Sequence, residues 1–235
     1  MTTAETTRLD WPGTLMGFRR LLPLSVFVGF FGVAFGLAST QTGLSPLEST
    51  LMSITVFAGA SQFAALELWG QQVSLVPLIL TTFAINSRHI LMGASLYPWL
   101  RELPAGRRYG ILTLLTDANW AMAAQDYQSG RRNLGIILGG GLAIWSAWVA
   151  GTAIGAYFGA AFEEPERFGL DMVLGCFLFA MALGSRKTPR TLVTWGVAAV
   201  TALIAKVWLP PHTHVVAGAI AGGLVGAFWL EGEQA

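Results

Sequence analysis

Residues 73–100 read VSLVPLILTTFAINSRHILMGASLYPWL, an apolar run with Arg88 set near its centre. As one helix these 28 residues would be about 42 Å long at ~1.5 Å per residue, more than an upright crossing of a bilayer core of about 30 Å needs. The run therefore tilts steeply or breaks, and the polar stretch Asn86-Ser87-Arg88-His89 is where a break belongs. On a straight helix Asn86 and His89 share a face, while Arg88 lies about 200° round from Asn86. A break lets all three turn into one cavity, and irregular backbone at membrane depth is tolerated when it lines such a cavity. An ionisable side chain at that depth costs about 2.5–3.5 kcal/mol on insertion scales. Arg88 is therefore either a functional residue or one that snorkels to headgroups from near a helix end, with His89 beside it.

The rest of the chain is built in the same way. Hydrophobic residues make up 54% of the 235 positions and charged residues 11%, where soluble domains carry roughly 25% charged residues. That composition excludes a soluble globular enzyme. It predicts an all-α polytopic membrane protein of about seven to eight hydrophobic helices, some of them broken or re-entrant. Beside 73–100 the segments are 21–40, 46–69, 109–124, 134–162, 170–184, 191–209 and 214–230. Residues 1–20 read as a polar cytoplasmic N-terminus, 21–230 as one transmembrane domain with halves 21–124 and 134–230, and 231–235 as a tail. No small-residue cleavage site follows a short apolar core, so the first segment reads as a retained helix. The formal net charge of +1 comes without a basic stripe, which argues against nucleic acid as a partner. Cys176 is the single cysteine, so the chain builds no intrachain disulfide and no cysteine-rich metal site.

Lys and Arg concentrate in cytoplasmic loops. If every segment crosses, Arg8, Arg19, Arg20, Arg131, Arg132, Arg186, Lys187 and Arg190 fall on one side. Glu163, Glu164 and Glu166 fall on the other, and both termini are cytoplasmic. Arg101, Arg107 and Arg108 then land outside, against the rule. Either they are an exception, or two segments, such as the second and the fourth, dip in and return, leaving six crossings. Gly32–Ala38 (GVAFGLA) lines up with Gly155–Ala161 (GAYFGAA) at an offset of 123. This is the mark of a 4+4 internal repeat, or of two helix faces that share small residues. Such faces recur at Gly151 with Gly155 and Gly159, and at Gly218 with Gly222 and Gly226. They let helices pack closely within the chain or dock a second subunit.

Two further polar stretches interrupt apolar segments. In Phe57-Ala58-Gly59-Ala60-Ser61-Gln62-Phe63, Gly59 and Ser61 favour unwinding, and the Gln62 amide both donates and accepts, as an amino-acid head group requires. The competing reading is a helix-packing contact. In Thr116-Asp117-Ala118-Asn119-Trp120, Asp117 is a proton-coupling group, the counter-ion of Arg88, or a residue at the cap of a re-entrant half-helix. Lys206 reads as a snorkelling residue, and His212 with His214 as a weak metal signal without a third ligand. No Walker loop, dinucleotide fingerprint, metalloprotease helix or catalytic triad order occurs, so no bound cofactor is expected.

At FAGASQFAA (57–65), INSRHILMGASLYP (85–98) and LTDANW (115–120), the chain resembles the AzlC-like family, the large subunits of bacterial branched-chain amino-acid exporters. VGFFGVAFGLA (28–38) followed by Gly43-Leu44-Ser45 is similar too. Asn-x-Arg-His is the most specific part. The family's usual Asp-Glu after the threonine is here Asp117-Ala118-Asn119, which weakens any coupling role that needs a second carboxylate. The resemblance implies export of leucine, isoleucine or valine, and of methionine or analogues, across the bacterial cytoplasmic membrane. It also implies a small AzlD-like membrane partner of about four helices.

The residues alone stop at a secondary transporter for a small polar solute. Combined with the resemblance, they place a zwitterionic amino acid among Gly59, Ser61, Gln62, Asn86, Arg88 and His89, with Asp117 coupling to protons. Its aliphatic side chain would lie against Phe57, Phe63 and Leu91. Two other readings stay open: a passive channel or permease for another small polar solute, and an intramembrane enzyme using His89 and Asp117 as acid and base.

Overall fold

A computed structural model describes residues 8–69, 75–159, 188–208 and 213–232. The chain is an all-α polytopic membrane protein. The helices among the described residues are α1 (Trp11–Gln41), α2 (Pro46–Val56), α3 (Gly59–Glu67), α4 (Leu75–Asn86), α5 (Arg88–Leu100), α6 (Ala105–Leu112), α7 (Asp117–Gln128), α8 (Gly135–Gly159), α9 (Pro189–Trp208) and α10 (Thr213–Gly232). By length and composition α1, Leu75–Leu100, α8 and Thr191–Trp208 are each able to cross a membrane. The expected segment at 170–184, the acidic stretch at 162–168, Cys176, Arg186, Lys187 and His212 lie outside the described residues. The described helices fall into two compact units. The first holds α1, α2, Gly59 and α5 to α8; the second holds α3 from Ala60, α4, α9 and α10.

The first unit is organised on α1 and α8, which run parallel and begin side by side. Arg8 N–H donates to the Arg132 carbonyl at 2.9 Å, and Leu134 N–H donates back to the Arg8 carbonyl at 2.8 Å. Asp10 caps α1 by accepting from Gly13 N–H at 2.8 Å, and the same oxygen accepts from Asn133 Nδ2 at 2.8 Å. The cap starts α1 at Trp11, ten residues before the apolar run, and Pro12 fits the first turn because its missing N–H would be unpaired there. The Asn133 amide and the Gly13 N–H hold the Asp10 carboxyl below the usual carboxylate range. A negative charge at this point also offsets two adjacent positive helix ends.

Glycine lets the two helices touch along their length. A Cβ at Gly36 would come within 2.6 Å of Ala156 N and nearer still to the Thr152 carbonyl. Gly32 faces Trp148 and Gly151, while Gly155 faces Val33 and Gly159 faces Leu37 and Thr40. The stripes at Gly32/Gly36 and Gly151/Gly155/Gly159 are thus an intramolecular interface, one of the two uses their spacing allows. The described residues of the two segments aligned at an offset of 123 pack together here, Gly155 on Val33, Ala156 on Gly36 and Gly159 on Leu37. Phe35 stacks on Trp148 with centroids 5.6 Å apart.

Helix α2 turns back from the C-terminal end of this pair. Ser45 and Glu48 form a capping box, Ser39 Oγ donates to Ser49 Oγ at 2.7 Å, and Ser53 shares a 2.8 Å hydrogen bond with Thr152. The helix stops part-way along α8: Trp145 Nε1 donates to the Ile54 carbonyl, and Phe57 adopts a left-handed conformation with φ 45° and ψ 46°. Segment 46–69 therefore breaks at Phe57-Ala58, two residues before the position its glycine suggests. Gly59 serves close approach instead, since a Cβ there would lie 3.1 Å from the Trp148 ring.

Segment 109–124 is not one helix. It divides at Thr113–Thr116, because Thr116 starts a new helix by accepting from Asn119 N–H while Asn119 Oδ1 accepts from Thr116 N–H at 2.7 Å. At about 12 Å and 18 Å, α6 and α7 are each too short to span a core of about 30 Å. They form a hairpin that enters and returns. Met92, Leu96, Trp99, Leu100, Ile111, Leu115 and Ala123 bury against Leu134 and Ile137, so α5 ends where α8 begins. Arg101, Arg107 and Arg108 consequently sit at the same end as Arg131 and Arg132, and the exception to the charge rule disappears.

In the second unit α9 and α10 pack antiparallel, with Gly218 against Ala198 and Ala202, and Gly222 against Ala198 and Thr194. Helix α10 also packs on α4.

Candidate functional site

Three pairings fix α5 beside α7 in the first unit. Arg88 Nη1 lies 3.1 Å from Asp117 Oδ2, Trp120 Nε1 donates to Ser95 Oγ at 2.8 Å, and the Trp99 and Tyr127 rings are 5.2 Å apart. Residue numbers rise together in these pairs, so α5 and α7 run parallel, and both run against α8. Asn119 sets the depth: fully buried, its Nδ2 donates to the Leu114 carbonyl at 2.8 Å and to the Ile137 carbonyl at 3.0 Å. Gly141 lets this apex approach, because a Cβ there would collide with the Leu114 carbonyl. Asp117 is therefore held roughly a third of the way along α8, as the first residue of a re-entrant half-helix whose cap is Thr116.

The Arg88–Asp117 pair is open. The two side chains are 42% and 57% exposed, and Arg88 Nε is buried without a hydrogen-bond partner among the described residues. A guanidinium has five N–H donors in a fixed fork, so this pairing leaves donor capacity for a further carboxylate.

The other expected site residues are placed as follows. Ser61 and Gln62, in the first turn of α3, are 2% and 0% exposed. Asn86, the last residue of α4, donates from Nδ2 to Ser61 Oγ at 3.0 Å within the second unit. His89 is half-buried in the first turn of α5. The break at Ser87 is shallow, since this residue keeps helical dihedrals of φ −55° and ψ −27°. Asn86 and Arg88 serve different partners, Ser61 in the second unit and Asp117 in the first. Phe63 is fully buried, Phe57 packs near Leu21, Met122, Ile136 and Ile144, and Leu91 is 74% exposed. Lys206 lies exposed in the last turn of α9.

Sequence reasoning missed Asp126. This carboxylate is fully buried and accepts from Arg20 Nη1 and Arg131 Nη2, both at 2.6 Å. It clamps the end of α7 to α1 and to the loop that starts α8, which holds the hairpin bearing Asp117 at its depth. Asn119, read from sequence only as a departure from a family pattern, is the bracket of the same hairpin.

The AzlC protein family profile matches residues 23–162, which include α1 from Pro23 onward, all of α2 to α8 and both members of the Arg88–Asp117 pair. The chain is 30% identical over 222 residues to the inner membrane protein YgaZ of Escherichia coli, covering 91% of this chain and 90% of that protein. It is 26% identical over 168 residues to the branched-chain amino acid transport protein AzlC of Bacillus subtilis, with 70% of this chain and 64% of that one covered. An uncharacterized membrane protein of Archaeoglobus fulgidus is 34% identical over 148 residues, or 61% of this chain and 63% of its own length. No solved structure matches. The polytopic helical fold, the paired charges in an apolar segment and these relatives agree: this chain belongs to the AzlC family and is a multi-pass membrane transporter.

Proposed function

We propose that the chain is the large subunit of a proton-coupled exporter of branched-chain amino acids, leucine, isoleucine and valine with methionine as a further substrate. It would act in the bacterial inner membrane with a small AzlD-like partner. The observation that carries this reading is the open Arg88–Asp117 pair on an apolar segment. A zwitterion suits it. Its carboxylate takes the guanidinium and its ammonium takes Asp117, so one ion pair is exchanged for two and neither protein charge is left uncompensated at low dielectric. A simple carboxylate would strand Asp117, and a simple amine would strand Arg88. The transport named for the Bacillus subtilis relative supports the same substrate class. Arg88 neutralises Asp117 when no substrate is bound and the substrate ammonium does so when it is, and Asp117 is the residue to which this reading gives proton coupling.

The test is export from cells loaded with leucine-containing peptides, expressing this chain alone and then with the neighbouring small four-helix protein. Export of leucine, valine, isoleucine and methionine is expected to rise with both chains and to fall when the proton gradient is collapsed. 4-Methylpentanoate and isoamylamine, which each carry one of leucine's two charges, are expected not to be exported. Flux of all three compounds at similar rates, insensitive to the gradient, would identify a passive permease and overturn the reading.

A further inference from the structure

On α1, Pro12, Met16, Arg19, Pro23, Val26 and Phe30 follow one another at spacings of three and four, so they form one stripe along the helix. All six are exposed, and every member except Arg19 is apolar. In the N-terminal part of the stripe lies an open groove of about 470 Å³, lined by Pro12, Leu15, Met16, Arg19 and Arg20. The two arginines are used differently. Arg20 gives Nη1 to Asp126 and stays 37% exposed, while Arg19 has no hydrogen bond or ion pair among the described residues. The neighbouring carboxylates are spent: the sequence carries no acidic residue between Asp10 and Glu48, Asp10 is bonded to Gly13 and Asn133, and Asp126 to Arg20 and Arg131.

Depth decides what meets Arg19. Arg19 and Arg20 directly precede the uncharged run 21–40, and the exposed Trp11 stands about 12 Å further out at ~1.5 Å per residue. An aromatic ring at headgroup level with arginines at the hydrocarbon boundary is the arrangement of a membrane interface. Arg8, Arg131 and Arg132 gather at this end of the first unit, which puts it on the cytoplasmic side by the charge rule. A water-soluble anion would satisfy Arg19 and leave the apolar stripe bare. Hydrocarbon alone would cover the stripe and leave Arg19 without a counter-charge. We infer that the groove is a site for one anionic phospholipid of the cytoplasmic leaflet. Its phosphate accepts from the Arg19 guanidinium and from the N–H groups that Arg20 does not give to Asp126, and an acyl chain runs along Pro23, Val26 and Phe30.

Native mass spectrometry of the purified full chain, titrated with phosphatidylglycerol and with phosphatidylcholine of the same acyl chains, tests it. One phosphatidylglycerol is expected to bind at least about fivefold more tightly, the ratio given by ~1 kcal/mol for one basic residue at an anionic leaflet. Arg19→Gln, and Met16→Glu, which sets a carboxylate one turn from Arg19, are each expected to abolish the preference. Both side chains are exposed, so neither substitution disturbs the packed face of α1. Arg107→Gln removes an exposed arginine from the same end and is expected to keep the preference. Equal affinity for the two lipids, a preference that survives Arg19→Gln or Met16→Glu, or an equal loss in Arg107→Gln, the mark of diffuse attraction, would overturn the site. So would displacement of phosphatidylglycerol by millimolar inorganic phosphate, which identifies a site for a free anion. A dimer that binds no lipid would do the same, because the stripe would then be an interface between two copies.

Discussion

Removing the carboxylate of Asp126 should unfasten α7 without touching Arg88 or Asp117. The side chain is fully buried and accepts two charge-assisted hydrogen bonds at 2.6 Å, one from Arg20, 37% exposed, and one from Arg131, 60% exposed. Hydrogen bonds to charged groups contribute about 1.5–3 kcal/mol each, a nominal 3–6 kcal/mol for the pair. Both arginines rehydrate once the carboxylate is gone, and the more exposed Arg131 contributes nearer the ~0.2–1 kcal/mol of a surface pair. The expected cost of Asp126→Ala is therefore about 2–3 kcal/mol, most of it through Arg20. Asp126→Asn should be no milder, because half of its amide offers a donor to guanidinium groups that only donate. The assay is unfolding of the purified chain in detergent, with Arg20→Ala, Arg131→Ala and the double variants completing two mutant cycles. Coupling to Arg20 is expected to exceed coupling to Arg131. Stability of Asp126→Ala within about 0.5 kcal/mol of the unmodified chain would refute the assignment of Asp126 as the clamp.

Gly36→Leu should prevent α1 from closing on α8 and remove most folded protein from the membrane, whereas Gly106→Leu, which meets open space, should leave the yield unchanged; fluorescence-detected size exclusion of tagged variants reads both. Because the folded Asp10 carboxyl is held below its usual range, its contribution is present above the unfolded pKa and is lost as pH falls through the lower folded value. Thermal unfolding at descending pH is expected to show this acid-side loss and Asp10→Asn to lack it. In a Cys176→Ser background, cysteines at Gly106 and Gln128 should both react with an impermeant maleimide from the cytoplasmic side, and one at Thr42 from the opposite side. Labelling of Gly106→Cys and Gln128→Cys from different sides would show that the α6–α7 hairpin crosses.

The long helices are legible in the sequence because burial in lipid demands uninterrupted apolar residues, and α1, α8 and α9 lie where those runs lie. The ends are harder. Asp10 extends α1 through a polar stretch because capping and its bond to Asn133 outweigh composition, and Asn133 is 123 residues away. The Ser45–Glu48 box has the ordinary spacing and residue types, while Thr116–Asn119 uses an asparagine in place of glutamate or glutamine, so its helix start hides inside an apolar segment. The turn at Phe57 is set by neighbours, since nothing in a phenylalanine foretells φ 45°. The charge rule did hold the answer to the hairpin: Arg101, Arg107 and Arg108 misfit eight crossings, and the misfit marked a segment that returns. Arg88 and Asp117 stood out because charge is costly in lipid. Asp126 did not, because its arginine partner on α1 is 106 residues distant and its own surroundings read as a loop.

The most direct measurement is leucine export by Arg88→Ala in the peptide-loaded cells, normalised to the amount of protein in the membrane. The account predicts an unchanged amount of protein and export no faster than in cells lacking the chain, because the substrate carboxylate has lost its guanidinium. Export at the unmodified rate would contradict it and leave the Arg88–Asp117 pair a structural bond between α5 and α7.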